Sequence, residues 1–200
     1  IVVMGAMCMW LVTPLIFAGF IAALIYFTIS RGQATTRAWA EMAETLQMTH
    51  QEGKTLWGTP ARGPITGRRD DFAVTIRTFT RGSGDSKETL TSVETAFHAP
   101  LGLGLEVRRE GLFSDVGKML GVQDIQTGDK QFDARFLIQG RDELAVLEFL
   151  NADIRHKVRT AQETGRNIRL NDDGVYQEFR GVLTNAPQIE RVLVNQISLV

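Results

Sequence analysis

Cysteine is nearly absent from this chain, and the one it has, Cys8, lies inside an apolar run. That rules out a disulfide framework, a cysteine zinc site and a thiol nucleophile in the rest of the chain. Histidine is scarce too: His50, His98 and His156 stand far apart, with no acid or second histidine at ligand spacing, so no metal site is expected. Charge of either sign is not in excess. The 22 Lys and Arg against 23 Asp and Glu leave a net charge of −1, which argues against a nucleic-acid binder relying on a basic surface. The glycines form no phosphate loop. Gly102-Leu-Gly104-Leu-Glu106 lies within an apolar alternation and reads as strand, and the stretch 81–87 lacks the required spacing. A Gly-x-Ser-x-Gly nucleophile elbow is missing as well. No catalytic, cofactor-binding or metal-ligating residue is therefore assigned, and no cofactor is expected.

The most telling absence is that of any charged side chain in residues 1–30. As one helix, residues 1–29 would extend about 44 Å, more than the roughly 30 Å hydrocarbon core of a bilayer. The stretch reads as a single transmembrane helix. A cleaved signal peptide would have a shorter apolar centre and a small-residue cleavage site. The chain begins at Ile1 rather than Met, which leaves room for a basic flank upstream. Arg31 and Arg37 follow the span, favouring a cytoplasmic soluble part and an inner-membrane, single-pass location. Pro14 is tolerable in such a helix, and Trp10 and Tyr26 suit interfacial positions. Gly5, Ala18, Gly19, Ala22 and Ala23 would let a partner helix approach closely.

Beyond residue 30, Ala38, Trp39, Met42, Ala43 and Leu46 recur at helical intervals within 34–48, a juxtamembrane helix whose apolar stripe must be covered by the domain, the membrane surface or a partner. Gly53, Gly58, Pro60, Gly63 and Pro64 then break the pattern. From Ile65 the period becomes two. Phe72, Val74 and Ile76 alternate before a loop at 81–86, and Thr91, Val93, Thr95 and Phe97 alternate after it, which makes a hairpin. Leu101, Leu103, Leu105 and Val107 suggest a third strand, and Phe132, Ala134, Phe136 and Ile138 a fourth. Between them Leu112, Phe113, Val116, Met119 and Leu120 have helical spacing. Asp142 caps a further helix with Leu144, Leu147 and Leu150 facing inward, Asp153 restarts it, and Gly165 stops it. Asp172-Asp173-Gly174 joins a second hairpin, and Asn185 with Pro187 opens a last helix. The expected organisation is a transmembrane helix over 1–30, a juxtamembrane helix over 31–52 and an α+β domain over 53–200, its antiparallel sheet packed with two or three helices.

Asp124, Asp129 and Asp133 cluster in sequence but lack the ligand spacing of a calcium loop, and turn chemistry explains them better. Gly128-Asp129, Phe132-Asp133, Phe136 and Gly140, followed by the capped Leu144-Ala-Val-Leu147 helix, resemble uncharacterised bacterial membrane-anchored proteins that carry an N-terminal hydrophobic segment and a strand-rich domain. The resemblance implies anchoring and a similar fold, and it transfers no site residue. Arg62, Arg68, Arg69, Arg108, Arg109, Arg155, Arg159, Arg166 and Arg169 are interspersed with acids, as on a solvated mixed-charge surface. The function expected from these features is a non-catalytic accessory or scaffold subunit of a larger membrane complex, respiratory or photosynthetic for example. It would contact the lipid bilayer and a membrane-protein partner through Trp10, Gly19, Ala22 and Trp39. The alternative is a membrane-tethered lipid- or ligand-binding module with arginines gathered at an open end of the sheet. A membrane-bound hydrolase drawing on Asp124, Asp129, Asp133 or Asp142 is the third reading.

Overall fold

Period-two segments in the computed structural model pair into one antiparallel sheet of eight strands, in the order β1-β2-β3-β4-β8-β7-β5-β6. Residues 2–54, 60–109 and 124–199 are described, with side chains in the first helix described at 17–27, at 30 and from 32 onward. The elements are α1 (Val2–Thr45), β1 (Thr49–Lys54), β2 (Pro60–Arg69), β3 (Phe72–Arg81), β4 (Glu88–Ala96), β5 (Glu106–Arg109), α2 (Lys130–Asp133), β6 (Phe136–Gln139), α3 (Glu143–Phe149), α4 (Ala152–Thr164), β7 (Asn167–Asn171), β8 (Gly174–Arg180) and α5 (Ala186–Ile197). Short polar residues set their ends. Asp142 accepts hydrogen bonds from the amides of Leu144 and Ala145, Asn151 from Ile154 and Asn185 from Gln188, each supplying a partner to a first-turn donor. The β2–β3 turn places Asp70 and Asp71 at φ 46° and 69°, a left-handed geometry that aspartate tolerates and that matches strand twist.

Helices cover one face of the sheet over two apolar clusters. Trp39, Met42, Ala43 and Leu46 of α1 meet Ile65, Val74, Ile76 and Val93 of the sheet and Ile189, Val192 and Leu193 of α5. Val146, Leu150, Ile154 and Val158 of α3 and α4 meet Val107, Phe136, Ile138, Leu170 and Val175. A polar seam divides the clusters along β4 and β8. Thr95 donates to Gln196 Oε1 at 2.6 Å, Gln196 donates to the Val93 carbonyl at 3.2 Å, and Gln177 donates to the Ala161 carbonyl at 2.5 Å.

The structure corrects the transmembrane reading. Among the described residues no helix is long and apolar enough to cross a membrane. α1 does not stop at residue 30 as a separate span; it runs unbroken through Arg31 and Gly32 into the segment that builds the core. Its side chains at 17–27 are exposed. The α+β architecture and the eight-stranded sheet are observed, while the N-terminal transmembrane element of the fold class is not. The resemblance to membrane-anchored proteins loses its anchoring part with it, and so does the inner-membrane, single-pass location.

Other expectations shift locally. Gly102 and Gly104 are not strand residues: both have positive φ, and the amides of Gly104 and Leu105 donate to the two carboxylate oxygens of Asp172 at 2.8 Å. β5 therefore begins only at Glu106. Phe132 belongs to α2, capped by Asp129, and the strand opens at Phe136. Asn151 rather than Asp153 starts α4. β1 and β2 occupy the Gly/Pro-rich stretch read as a break. The helix expected at 112–120 lies outside the described residues.

Trp39 is fully buried, and its Nε1 donates to the Gly63 carbonyl at 3.0 Å, joining α1 to β2. Trp39→Phe keeps an aromatic ring but strands that carbonyl and loses volume, at an expected cost of about 2 kcal/mol. Urea unfolding followed by circular dichroism measures it.

Candidate functional site

Strand alternation assigns every second residue to the face that no helix covers among the described residues. On β3, Val74 and Ile76 enter the core, so Thr75, Arg77, Phe79 and Arg81 take the opposite face. Register carries this face across the sheet: Thr75 pairs with Glu94, Glu94 with Tyr176, Tyr176 with Arg169 and Arg169 with Arg108. The next row runs from Arg77 through Ser92 and Glu178 to Asn167. A groove of about 510 Å³ lies over these strands, bordered by Arg77, Phe79, Ala96, Arg169, Asn171 and Tyr176. A second pocket, of about 270 Å³, shares Arg169 and Tyr176 with it and is completed by Arg81, Arg108, Arg109, Asn167, Ile168 and Glu178.

A carboxylate at 3% exposure organises the face. Glu178 receives both Nη atoms of Arg81, at 2.9 and 2.6 Å, the Tyr176 hydroxyl at 2.9 Å and Asn167 Nδ2 at 3.3 Å. Burial pushes its carboxyl pKa up, but the Arg81 fork and the Tyr176 donor outweigh that and hold it below the usual carboxylate range. Burial and the bond to Glu178 push the Tyr176 phenol up to about 12. Arg81 is raised in turn by the same carboxylate. Around this centre Arg77 pairs with Glu94 at 3.1 Å and Arg169 with Glu106 at 3.2 Å, while Arg169 lies over the Tyr176 ring at 5.9 Å. Glu88 holds both Arg166 and Arg180. Burial raises the Glu106 carboxyl, partly offset by Arg169 and Arg108. The arrangement offers forked cations, a phenol and a strip of apolar surface, all suited to binding.

The residues singled out from the sequence are distributed as follows. Trp10 lies outside the described side chains; Gly19 and Ala22 are exposed on α1; Trp39 is in the core under β2. Each aspartate considered for hydrolysis binds main-chain amides: Asp124 takes the Ile138 amide, Asp129 caps α2, Asp133 takes Thr127 and Gly128, and Asp142 caps α3. Arg159 and Arg155 converge on Asp129, the former at 2.6 Å, and Arg159 holds its carboxyl below the usual range. Among the described residues no group of three or more His, Cys, Asp or Glu is placed to hold a metal ion. Of the arginines noted earlier, Arg108, Arg109 and Arg169 come together at the smaller pocket. Arg77, Arg81, Tyr176 and Glu178 were not singled out. Their signal was the polar half of each strand's alternation, which marks a face without saying that distant strands bring it together.

These features define an α+β protein in which, among the described residues, helices cover one sheet face and leave the other open. No protein-family model and no curated protein matches the sequence. Among solved structures, the crystal structure of the mycobacterial trehalose monomycolate transport factor A, TtfA, is similar, with a TM-score of 0.53 and 11% identity over 82% of this chain and 93% of that one. That similarity is one of fold.

The network generates two expectations. Because the folded Glu178 carboxyl titrates below its ordinary 4.5, its stabilisation is complete above that value and is lost as pH falls through the folded pKa. Glu178→Gln should therefore be less stable than the parent at neutral pH, with the difference closing in acid, as read from urea midpoints across pH. In a Tyr26→Phe background Tyr176 is the one remaining tyrosine. Its phenol should titrate near 12 by ultraviolet absorbance, and at a lower pH once Glu178→Gln is added.

Proposed function

We propose that the chain is a non-catalytic binding module whose open sheet face receives a lipid-type amphiphile. The observation that carries this is the groove of about 510 Å³ over β3, β4, β7 and β8, with Phe79, Ala96 and the Tyr176 ring beside Arg77, Arg169 and Asn171. The lining sets this apolar surface among polar and charged groups, Ser92, Glu94 and Asp173 included, as an amphiphile requires, and the volume lies within the usual small-molecule range of about 300–1,000 Å³. The fold neighbour is by name a transport factor for trehalose monomycolate, which supports an amphiphile as the class of ligand. The accessory-subunit reading rested on a membrane span and falls with it, since no helix among the described residues is long and apolar enough to cross a bilayer.

Titration calorimetry with dihexanoylphosphatidylcholine, kept below its micelle concentration, tests the reading. Ala96 lines the groove on β4, so Ala96→Phe should fill it and weaken binding by roughly tenfold or more. Absence of binding to the parent chain, or equal affinity in the filled variant, would refute it.

A further inference from the structure

β5 and β7 set two arginines directly against each other. Arg108 and Arg169 are register partners, and both take the open face. Like charges in that position repel across an antiparallel pair. Elsewhere on this face Arg77, Arg81, Arg169 and Arg180 each have a carboxylate within ion-pair distance. Arg108 and Arg109 have none among the described residues.

Among the described residues the local acids do not supply the difference. Glu178, the one carboxylate lining the smaller pocket, already has both oxygens occupied by Arg81, Tyr176 and Asn167. Glu106 makes its contact ion pair with Arg169, is felt by Arg108 only at longer range, and lies outside the lining. The pocket wall thus carries four guanidinium groups and one saturated carboxylate around about 270 Å³. That space falls below the usual range of about 300–1,000 Å³ for a whole ligand and suits a compact head group. Guanidinium forks match the paired oxygens of a phosphate-type oxyanion, which would also relieve the repulsion between Arg108 and Arg169.

We infer that this pocket binds a phosphate-type oxyanion between Arg108 and Arg169, with Arg109 at its rim. Resting on the amphiphile reading above, it is the head-group end of the groove, because the two cavities share Arg169 and Tyr176. The oxyanion can arrive as free phosphate or as part of a lipid, and the two sources are separable.

The test titrates the full chain with inorganic phosphate and with dihexanoylphosphatidic acid at constant ionic strength, alongside Arg108→Ala, Arg169→Ala, Arg108→Lys and Ala96→Phe. Both probes should bind the parent, and each alanine variant should weaken both by roughly tenfold or more. Arg108→Lys should recover part of the loss. Without ligand, Arg108→Ala should melt no lower than the parent, since it removes a repulsion, yet it should lose the phosphate-induced rise in melting temperature. Phosphatidic acid binding more tightly than phosphate, with the surplus lost in Ala96→Phe, supports the head-group assignment. Equal affinities with arginine dependence keep the oxyanion site, overturn its lipid role and count against the groove reading. No phosphate binding, or unchanged phosphate affinity in Arg108→Ala and Arg169→Ala, overturns the inference. In that event, retained groove-dependent binding of dihexanoylphosphatidylcholine would leave the amphiphile reading standing.

Discussion

The open face depends on a charge that the sheet cannot leave exposed or unpaired. Glu178 sits on β8, in the middle of the sheet, on the side no described helix covers, yet it is only 3% exposed. A carboxylate withdrawn from water must be paired and hydrogen-bonded or it will take up a proton. Arg81 meets that demand from the end of β3, reaching past β4, and Tyr176 and Asn167 fill the remaining acceptor positions. The network ties the strands of the two halves of the sheet together on this side. It also fixes the Tyr176 ring, the surface shared by both cavities.

The opposite face solves the same problem by other means. Two apolar clusters lie under the helices, and the line between them is polar. Gln177 donates to the Ala161 carbonyl of α4 and Gln196 to the Val93 carbonyl of β4, and Thr95 closes the set. Adjacent residues of β8, Gln177 and Glu178, thus point to opposite faces and each anchors a polar network on its own side. A one-residue slip of β8 would exchange them, burying a carboxylate beneath α4 and α5 and exposing an amide that now serves a buried carbonyl. The register of the central strand is specified twice.

Much of the fold was legible because it is written locally. Asp142 and Asn185 announce helix starts, Asp172-Asp173-Gly174 announces a hairpin, and the alternation of β3, β4 and β8 shows directly. The failures share a cause, which is that tertiary contacts override composition. The Gly/Pro-rich β2 is a strand because Ile65 packs beneath Trp39 and because the Gly67 position abuts Met48 too closely for a side chain. Leu101 and Leu103 alternate like strand residues but form a loop, since Gly102 and Gly104 turn the backbone into the left-handed region and Asp172 claims the amides of Gly104 and Leu105. The uncharged start was read as a span from residue type alone. Its continuity with the core-building half of α1 appears only once Trp39 is seen under the sheet. The candidate site was the least legible part, because its arginines come from β3, β5 and β7, strands brought into one sheet by the β4–β8 and β5–β7 pairings and not by chain order.

A net charge of −1 is a fact about the whole chain, and it excludes a broadly basic surface. It does not describe the potential inside a pocket. Exposed charges more than about 8–10 Å apart are largely screened in physiological salt, so the field at a site is set by the groups lining it and by whether each already has a counterion. On this protein acids pair with Arg77, Arg81 and Arg169 one to one, and Glu88 serves both Arg166 and Arg180. Such pairing flattens the potential over most of the face and leaves the excess where β5 meets β7. A chain near neutrality can therefore gather arginines around one pocket while avoiding the indiscriminate attraction of a basic surface, and the opposed charges are confined to one cross-strand pair, Arg108 and Arg169.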